Sequence, residues 1–209
     1  MDADLLTRIH RLHAAIGRVE ERELSKFPAG IYSDDQRRVM VQDFSGGMSE
    51  ADMSESLHGL IHNIASFHDH LQKWGERNRV SRESIHNFLK NSFDFCVVRD
   101  LWNNDKHGHP PDRNDGWSRM APRLANVHSV CELSAGPGKA STVMTMGKTG
   151  HPVSKTKGKG GVRVVLTGEV VDKNGSGLGD AHRFIDGALR VCEAALRHFG
   201  VIGDTAAQP

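Results

Sequence analysis

The first 26 residues carry an amphipathic pattern of apolar and polar positions, and this pattern predicts a helix over residues 2–26. Its apolar residues recur three and four positions apart, which places them on one helical face. They are Leu5, Ile9, Leu12, Ile16 and Val19. The segment Phe27-Pro28-Ala29-Gly30 is expected to end this helix, because proline and glycine terminate helices. A second, short helix is predicted from Asp34 to Phe44.

Two longer apolar patterns predict a pair of neighbouring helices in the middle of the chain. Ser49 or Asp52 can cap the first of them, and its apolar stripe continues from Leu57 to Trp74. The second begins at Ser81, is apolar nearly all round, and is expected to reach about Asp105. A short connection joins the two helices, so they are predicted to run antiparallel.

The hydrophobic period then changes from that of a helix to that of a strand. Apolar and polar residues alternate over residues 127–133, 141–146 and 162–171, with glycine and lysine between these runs. The pattern predicts roughly three antiparallel strands within residues 126–172, followed by a last helix from about Asp180 to Phe199. The expected fold is mainly α. It is a single domain over residues 1–209, an antiparallel helical bundle with a small antiparallel β-sheet insertion before the last helix.

Charge and cysteine content narrow the classes of function. Lysine and arginine number 27 against 26 aspartates and glutamates, so any contact with nucleic acid requires a local basic patch. The three cysteines lack the spacing of a disulfide framework or a cysteine-rich zinc site, and they are expected to be buried thiols. The start of the chain has no apolar signal region, and no run reaches the ~18 apolar residues of a membrane span. We therefore expect a cytoplasmic location, no membrane contact and no cofactor.

The strongest functional hint is the polar end of the helix predicted over residues 81–105. A seam at helical spacing is mostly apolar in its first half and polar in its last two turns. Its members are Ile85, Leu89, Ser92, Cys96, Arg99, Asn103 and Lys106. His107, one position further on, completes a stripe with Arg99 and Asn103. Polar groups in a buried seam cost free energy unless partners satisfy them, so the patch requires either a ligand or an internal partner.

These residue types suit RNA cleavage without a metal. Arg99 and Lys106 can hold phosphate, Asn103 can orient the substrate, and His107 can act as general acid or base. The alternative is structural. Asn103 would then bond to a neighbouring helix, while Lys106 and His107 occupy a helix C-terminus, where cations suit the macrodipole.

The preceding helix carries a second polar set beside its apolar stripe. His58, His62 and Asp69 fall on one side of that helix, and His68 points more nearly into the stripe. The spacing of His58 and His62 is that of helical metal ligands, but no third ligand is defined, so no metal is assigned. We expect these groups to border a polar pocket shared with His107, or to line the boundary of the core.

The stretch from Leu133 to Gly168 contains six cations and no aspartate or glutamate. Such a run can grip a phosphate backbone, and Lys155, Lys157 and Lys159 are the expected contacts. The alternative is a solvated, glycine-rich loop that its charge keeps off the sheet.

Residues 61–71 and 99–107 together resemble a group of uncharacterised bacterial and phage helical proteins. The central helix of that group ends in an Asp-Leu/Ile-x-Asn-x-x-Lys-His signature, here Asp100-Leu101-Trp102-Asn103-Asn104-Asp105-Lys106-His107. The group in turn resembles the HEPN superfamily, and the resemblance covers roughly residues 50–108. It implies a helical bundle that is often dimeric. Many members are metal-independent ribonucleases of toxin–antitoxin and antiviral systems, and others only bind partners.

At the matching positions, the resemblance implies that Arg99, Asp100, Asn103 and His107 are the candidate catalytic residues. The active pattern separates arginine and histidine by four to six residues, whereas seven residues lie between Arg99 and His107 here. Together with the polar patch, the resemblance implies a homo-oligomeric RNA-binding protein or metal-independent endoribonuclease of bacterial or phage defence. The alternative is a non-catalytic interaction protein whose polar cluster fixes a helix register or a dimer seam. A metal-dependent enzyme built on His58 and His62 is the weakest interpretation.

Overall fold

The computed structural model describes residues 5–12, 29–33, 38–108, 116–134, 141–146, 152–157 and 161–202. The helices are α1 (residues 5–12), α2 (Glu50–Ala65), α3 (Phe67–Asn78), α4 (Arg82–Lys90), α5 (Phe93–His107) and α6 (Ala181–His198). The strands are β1 (Ala29–Ser33), β2 (Arg38–Gln42), β3 (Arg123–Ser134), β4 (Ser141–Met146), β5 (Pro152–Lys157), β6 (Gly161–Val171) and β7 (Gly177–Asp180). No described helix is long and apolar enough to span a membrane.

The strands of the described segments form three small sheets. β3, β6 and β7 make a three-stranded sheet in the order β3-β6-β7, directly before α6, and β6 pairs antiparallel with β7. β4 and β5 form an antiparallel hairpin, and so do β1 and β2. The expectation of a largely helical chain with a small antiparallel sheet before the last helix is therefore confirmed at this level.

The chain divides into two compact units. The first consists of Met1–Ala14, Ser54–Val127 and Gly168–Pro209, and it contains α1 and the helices α3 to α6. The second consists of Ala15–Met53 and His128–Thr167, and it contains the β1–β2 and β4–β5 hairpins. The candidate functional residues of α2, α3 and α5 all belong to the first unit.

The prediction of a helix from Asp34 to Phe44 is wrong, because residues 38–42 form β2. Val39 and Val41 of β2 pair with Tyr32 and Gly30 of β1. A short apolar run has no helical period long enough to decide its structure, and β-branched valines favour a strand. Of the helix predicted over residues 2–26, the structure describes residues 5–12, which are helical.

Both long helices predicted in the middle of the chain are interrupted. The first breaks at Ser66, between α2 and α3. The second breaks before Ser92, whose hydroxyl oxygen accepts the Phe95 N–H over 3.3 Å and caps α5. Ser92 has an extended backbone, so this position begins a new helix and is not a seam position within an older one.

The core of the first unit lies between the apolar faces of its helices. Its most deeply buried side chains are Leu57, Ile61 and Ile64 of α2, Leu71 of α3, Ile85 and Leu89 of α4, Phe95, Val97 and Val98 of α5, and Ala188, Cys192 and Leu196 of α6. All three cysteines are free, and burial raises the pKa of the Cys96 thiol to about 11. Most of the apolar positions that periodicity selected in α2 to α6 therefore form the core, but Leu60 and Val191 are half-buried and Phe93 is exposed.

Helices α5 and α6 approach each other closely at Gly187. A Cβ atom placed at this position would overlap the Asp94 carboxylate and lie 2.9 Å from the Asp94 Cβ. Burial raises the pKa of Asp94, and the nearby Arg190 charge opposes that rise. Glycine is thus required here for the two helices to pack at this distance.

We predict that Gly187→Ala destabilises the protein by about 1–3 kcal/mol, because the added methyl group must displace Asp94. Gly59→Ala is the matched control, since Gly59 is an exposed residue of α2 with nothing within 4 Å of an added Cβ. Helix propensity predicts that the control gains up to about 1 kcal/mol. Urea denaturation of both variants measures the difference, and equal effects at the two positions would contradict the close packing at Gly187.

Candidate functional site

Helix α5 carries the residues that the sequence selected as catalytic, and the structure divides them between interior and surface. Asp100 is fully buried, and the Arg99 side chain is only 12% exposed. Asn103 is half-buried, whereas Lys106 and His107 are exposed in the last turn. Arg99 and His107 lie two turns apart on one continuous helix, a rise of about 12 Å. A substrate that contacts both side chains would have to span those two turns.

Three contacts fix how α5 lies against α2. The atom pairs are Trp102 Nε1 and His62 Nδ1 (2.7 Å), Arg99 Nη1 and Ala65 O (2.7 Å), and Asp105 Oδ1 and His58 Nδ1 (3.5 Å). Each step toward the C-terminus of α5 is matched by a step toward the N-terminus of α2. The two helices therefore run antiparallel, and the middle of α5 faces the end of α2.

Arg99 lies at the break between α2 and α3. In a continuous helix the Ala65 carbonyl would accept the N–H of Asp69, but that N–H donates to the Ser66 carbonyl over 3.1 Å. Arg99 Nη1 instead donates to the buried Ala65 carbonyl oxygen. A buried carbonyl that lacks a partner costs about 1–3 kcal/mol, so this contact stabilises the break.

The same guanidinium begins a hydrogen-bonded chain along α3. Arg99 Nη2 donates to Asp69 Oδ1 over 3.2 Å, and His68 Nδ1 lies 2.8 Å from the same carboxylate oxygen. His68 Nε2 in turn lies 2.9 Å from Gln72 Nε2. The hydrogen bond from His68, followed by the Arg99 charge, outweighs burial and lowers the pKa of Asp69 to about 2. Two of the residues expected to border a pocket, His68 and Asp69, thus join Arg99 in an internal network.

Asp100 faces a different element from its neighbour Arg99. Its carboxylate accepts the backbone N–H groups of Trp117 (2.9 Å) and Ser118 (2.7 Å) and the Ser118 hydroxyl (2.6 Å). These three bonds tie residues 116–120, which we term the Trp117 loop, to the middle of α5. Hydrogen bonds to a carboxylate are stronger than neutral ones, so Asp100 is the main polar anchor of this loop.

Trp102, at the α2–α5 contact, has two cations over its ring. The indole ring of Trp102 is half-buried, with Arg99 Cζ at 4.4 Å and Lys106 Nζ at 4.9 Å from the ring centroid. Because the indole N–H donates to His62 Nδ1, a neutral His62 carries its proton on Nε2. We term the side chains of His62, Trp102 and Lys106 the Trp102 surface. It presents hydrogen-bond donors beside an aromatic ring.

The remaining predicted residues lie at several separate places. His58 is half-buried and faces Asp105 at 3.5 Å, which is too long for a good hydrogen bond. Lys155 and Lys157 belong to β5, where they pair with Val143 and Ser141 of β4. Lys159 lies outside the described residues.

Sequence reasoning missed three residues that contact this network. Trp117 and Ser118 belong to the loop bound by Asp100, and His86 of α4 lies with its ring centroid 4.6 Å from that of Trp117. The available signal was the tryptophan itself, because so large an apolar side chain in a polar segment requires a surface to cover. No periodicity could locate that surface.

Among the described residues, no group of three or more histidine, cysteine, aspartate or glutamate side chains is arranged to hold a metal ion. No family model matches this chain, and neither the curated proteins nor the solved structures contain a match to it.

We predict that Asp100→Asn lowers the free energy of unfolding by about 3 kcal/mol. The side-chain NH₂ of asparagine would face hydrogen-bond donors of the Trp117 loop, whose hydrogen bonds the carboxylate now accepts. The control is Asp105→Asn on the same helix, where the carboxylate is 53% exposed and the loss should stay below about 1 kcal/mol. Urea denaturation measures both values. A loss at Asp100 no larger than at Asp105 would show that the loop does not depend on this anchor.

The lowered pKa of Asp69 predicts an acid-dependent contribution to stability. Its folded pKa of about 2 is below the ordinary value of 3.8, so the contribution is present above pH 3.8 and is lost as the pH falls toward 2. We expect Asp69→Asn to cost about 1 kcal/mol at pH 7, allowing for solvent screening at this half-exposed carboxylate. Denaturation of both proteins across this pH range should show that their difference in free energy of unfolding becomes smaller in acid. A difference that does not change with pH would rule out the ion pair as its cause.

Proposed function

We propose that this protein binds RNA through the Trp102 surface, and that Arg99 and Asp100 stabilise its fold without cleaving the RNA. The observation that supports this proposal is the combination at Trp102 of an indole ring with Lys106 and the exposed imidazole of His62. Aromatic faces stack on nucleobases, and neighbouring cations attract the phosphates of the RNA backbone next to the stacked base. This surface therefore offers both chemical features that single-stranded RNA requires.

The formal charges of the groups around Trp102 balance, since Arg99 and Lys106 are matched by Asp69 and Asp105, so attraction of a phosphate depends on where each charge lies. Two carboxylates lie near Trp102, and each is already directed toward another group of the protein. Asp69 accepts from Arg99 and His68, and Asp105 lies against His58. The Lys106 ammonium lies over the indole, 4.9 Å from its centroid. Within the part of the chain that the structure describes, Lys106 makes no ion pair that an approaching phosphate would have to break.

A second basic region supports the same proposal. Between Leu133 and Gly168 the sequence contains six cations and no carboxylate, and two of these lysines, Lys155 and Lys157, belong to the β4–β5 hairpin. A run of cations that contains no carboxylate of its own can bind a phosphate backbone without base specificity. The resemblance to HEPN proteins is consistent with RNA as the partner, and it extends the proposal to a homo-oligomer of a bacterial or phage defence system.

The competing function is that of a non-catalytic protein-interaction module. It is favoured by the internal partners of Arg99, since a group that caps a helix break and holds Asp69 is already committed to the fold. In that case the Trp102 surface would bind another protein, and neither RNA binding nor cleavage would depend on it.

Fluorescence anisotropy with a labelled single-stranded RNA and a labelled tRNA tests RNA binding. We expect Trp102→Ala to weaken binding of the single strand by about 1–3 kcal/mol through lost stacking. Lys106→Ala should weaken it more evenly across sequences and reduce the slope of log affinity against log salt by about 0.7. Lys73→Ala, an exposed lysine of α3, is the matched control and should leave affinity unchanged.

The same RNAs, incubated with and without EDTA, test cleavage. Binding without cleavage is the expected result. EDTA-resistant cleavage that disappears in a folded His107→Ala variant would replace the binding-only proposal with a metal-independent ribonuclease. If the wild-type protein binds neither RNA, or if Lys106→Ala and Lys73→Ala behave alike, the Trp102 surface is not an RNA site and the protein-interaction function is favoured.

A further inference from the structure

The Trp117 loop is held by a second set of contacts besides Asp100. Its indole lies against two imidazole rings, with centroid distances of 4.6 Å to His86 of α4 and 5.1 Å to His68 of α3. The two imidazoles lie 5.9 Å apart, and Arg99 Cζ lies 5.7 Å from the Trp117 centroid. One tryptophan thus contacts side chains from three helices, and two of those side chains are imidazoles.

The surroundings of His86 oppose a positive charge on its ring. Burial lowers its pKa first, and the charges of Lys90, His68 and Arg99 lower it further. The carboxylates of the packed helices give no compensation. Asp69 of α3 already accepts from His68 and Arg99, and Asp100 of α5 accepts from the Trp117 loop itself. Among the described contacts, the loop contributes only the uncharged indole to His86.

An indole face does attract a cation, and this attraction favours a charged His86. However, the Arg99 guanidinium already lies on the Trp117 ring. An imidazolium that shared this ring would be close to a permanent positive charge in a half-buried site. Repulsion between the two cations therefore opposes the gain from the ring.

We propose that the Trp117 loop is a proton-responsive strap, closed over α3 and α4 while His86 is neutral and released from them when His86 takes up a proton. The device rests on the stack of Trp117 on His86 and His68, with Arg99 on the same ring. Asp100 keeps the loop backbone attached to α5, so release changes the position of the indole without detaching the loop. This regulation is independent of whether the Trp102 surface binds RNA.

The sign of the effect follows from proton linkage. A histidine whose folded pKa is below the reference value of 6.5 binds its proton more readily in the open state. The closed strap is therefore fully favoured above pH 6.5, and it loses stability as the pH falls from 6.5 toward the lowered pKa. At a pH below both the reference pKa and the lowered pKa, the closed strap loses no further stability.

Tryptophan fluorescence between pH 8 and pH 5 tests the strap. Subtracting the signal of Trp117→Phe from that of the wild type isolates the Trp117 component. We expect this component to shift to longer wavelength in one transition with a midpoint below pH 6.5, while far-UV circular dichroism stays constant. His86→Gln should abolish the transition, because glutamine cannot take up the proton. His10→Gln, at an exposed position of α1, is the matched control and should leave the transition unchanged.

Three results would overturn the strap: no shift of the Trp117 component, a transition that survives in His86→Gln, or a simultaneous loss of helical signal that indicates global unfolding. If His86→Gln does not fold, NMR of the wild-type protein decides the question. The Trp117 indole N–H resonance is then expected to titrate with the same midpoint as the His86 imidazole resonances. Different midpoints would separate the two groups and exclude the device.

Discussion

The arrangement of α2, α3 and α5 depends on one buried carbonyl group, that of Ala65. The break at Ser66 removes the partner that this carbonyl would have in a continuous helix, and the Arg99 guanidinium replaces it. A planar guanidinium has several donors in a fixed geometry, so the same side chain also reaches Asp69. A lysine offers a single point charge and could not serve both acceptors with that geometry. Arg99 thereby sets the position of α5 along the broken helix.

This position determines the roles of the residues that follow Arg99. Asp100 points about 100° round the helix from its neighbour and binds the Trp117 loop, so two adjacent residues attach α5 to two different elements. One turn later, the side chain of Trp102 lies at the outer edge of the α2–α5 contact with His62. Lys106, a turn further, lies over the Trp102 ring. The buried and exposed halves of the polar seam are thus consequences of a single packing register.

The sequence predicted the apolar core well and the helix boundaries less well, for physical reasons. Leu57, Ile61 and Leu71 follow a helical period that holds whether the helix is continuous or broken, so burial could be predicted without locating the break. The break at Ser66 depends on an arginine more than 30 residues away, and no local pattern contains that information. The short run at residues 38–42 failed because its length fits either a helix or a strand.

The candidate site shows the same division between local and tertiary information. Periodicity correctly marked the end of α5 as polar, and the cost of burying such groups correctly implied that they have partners. For Arg99 and Asp100 those partners are internal: the Ala65 carbonyl, Asp69 and the Trp117 loop. Which interpretation of a buried polar group holds, ligand site or structural contact, is decided by atoms that lie far away in the chain.

The hydrogen bonds that Arg99 makes within the protein also limit the chemistry that is possible at this end of α5. A guanidinium that moved to bind phosphate would leave the buried Ala65 carbonyl without a donor, at a cost of about 1–3 kcal/mol, and would weaken the ion pair with Asp69. Lys106 carries its charge in an exposed last turn and lies against an aromatic ring. Phosphate can approach it without breaking the α2–α5 register. Binding at Trp102 and Lys106 is thus compatible with the fold, whereas catalysis by Arg99 would compete with the contact on which that fold depends.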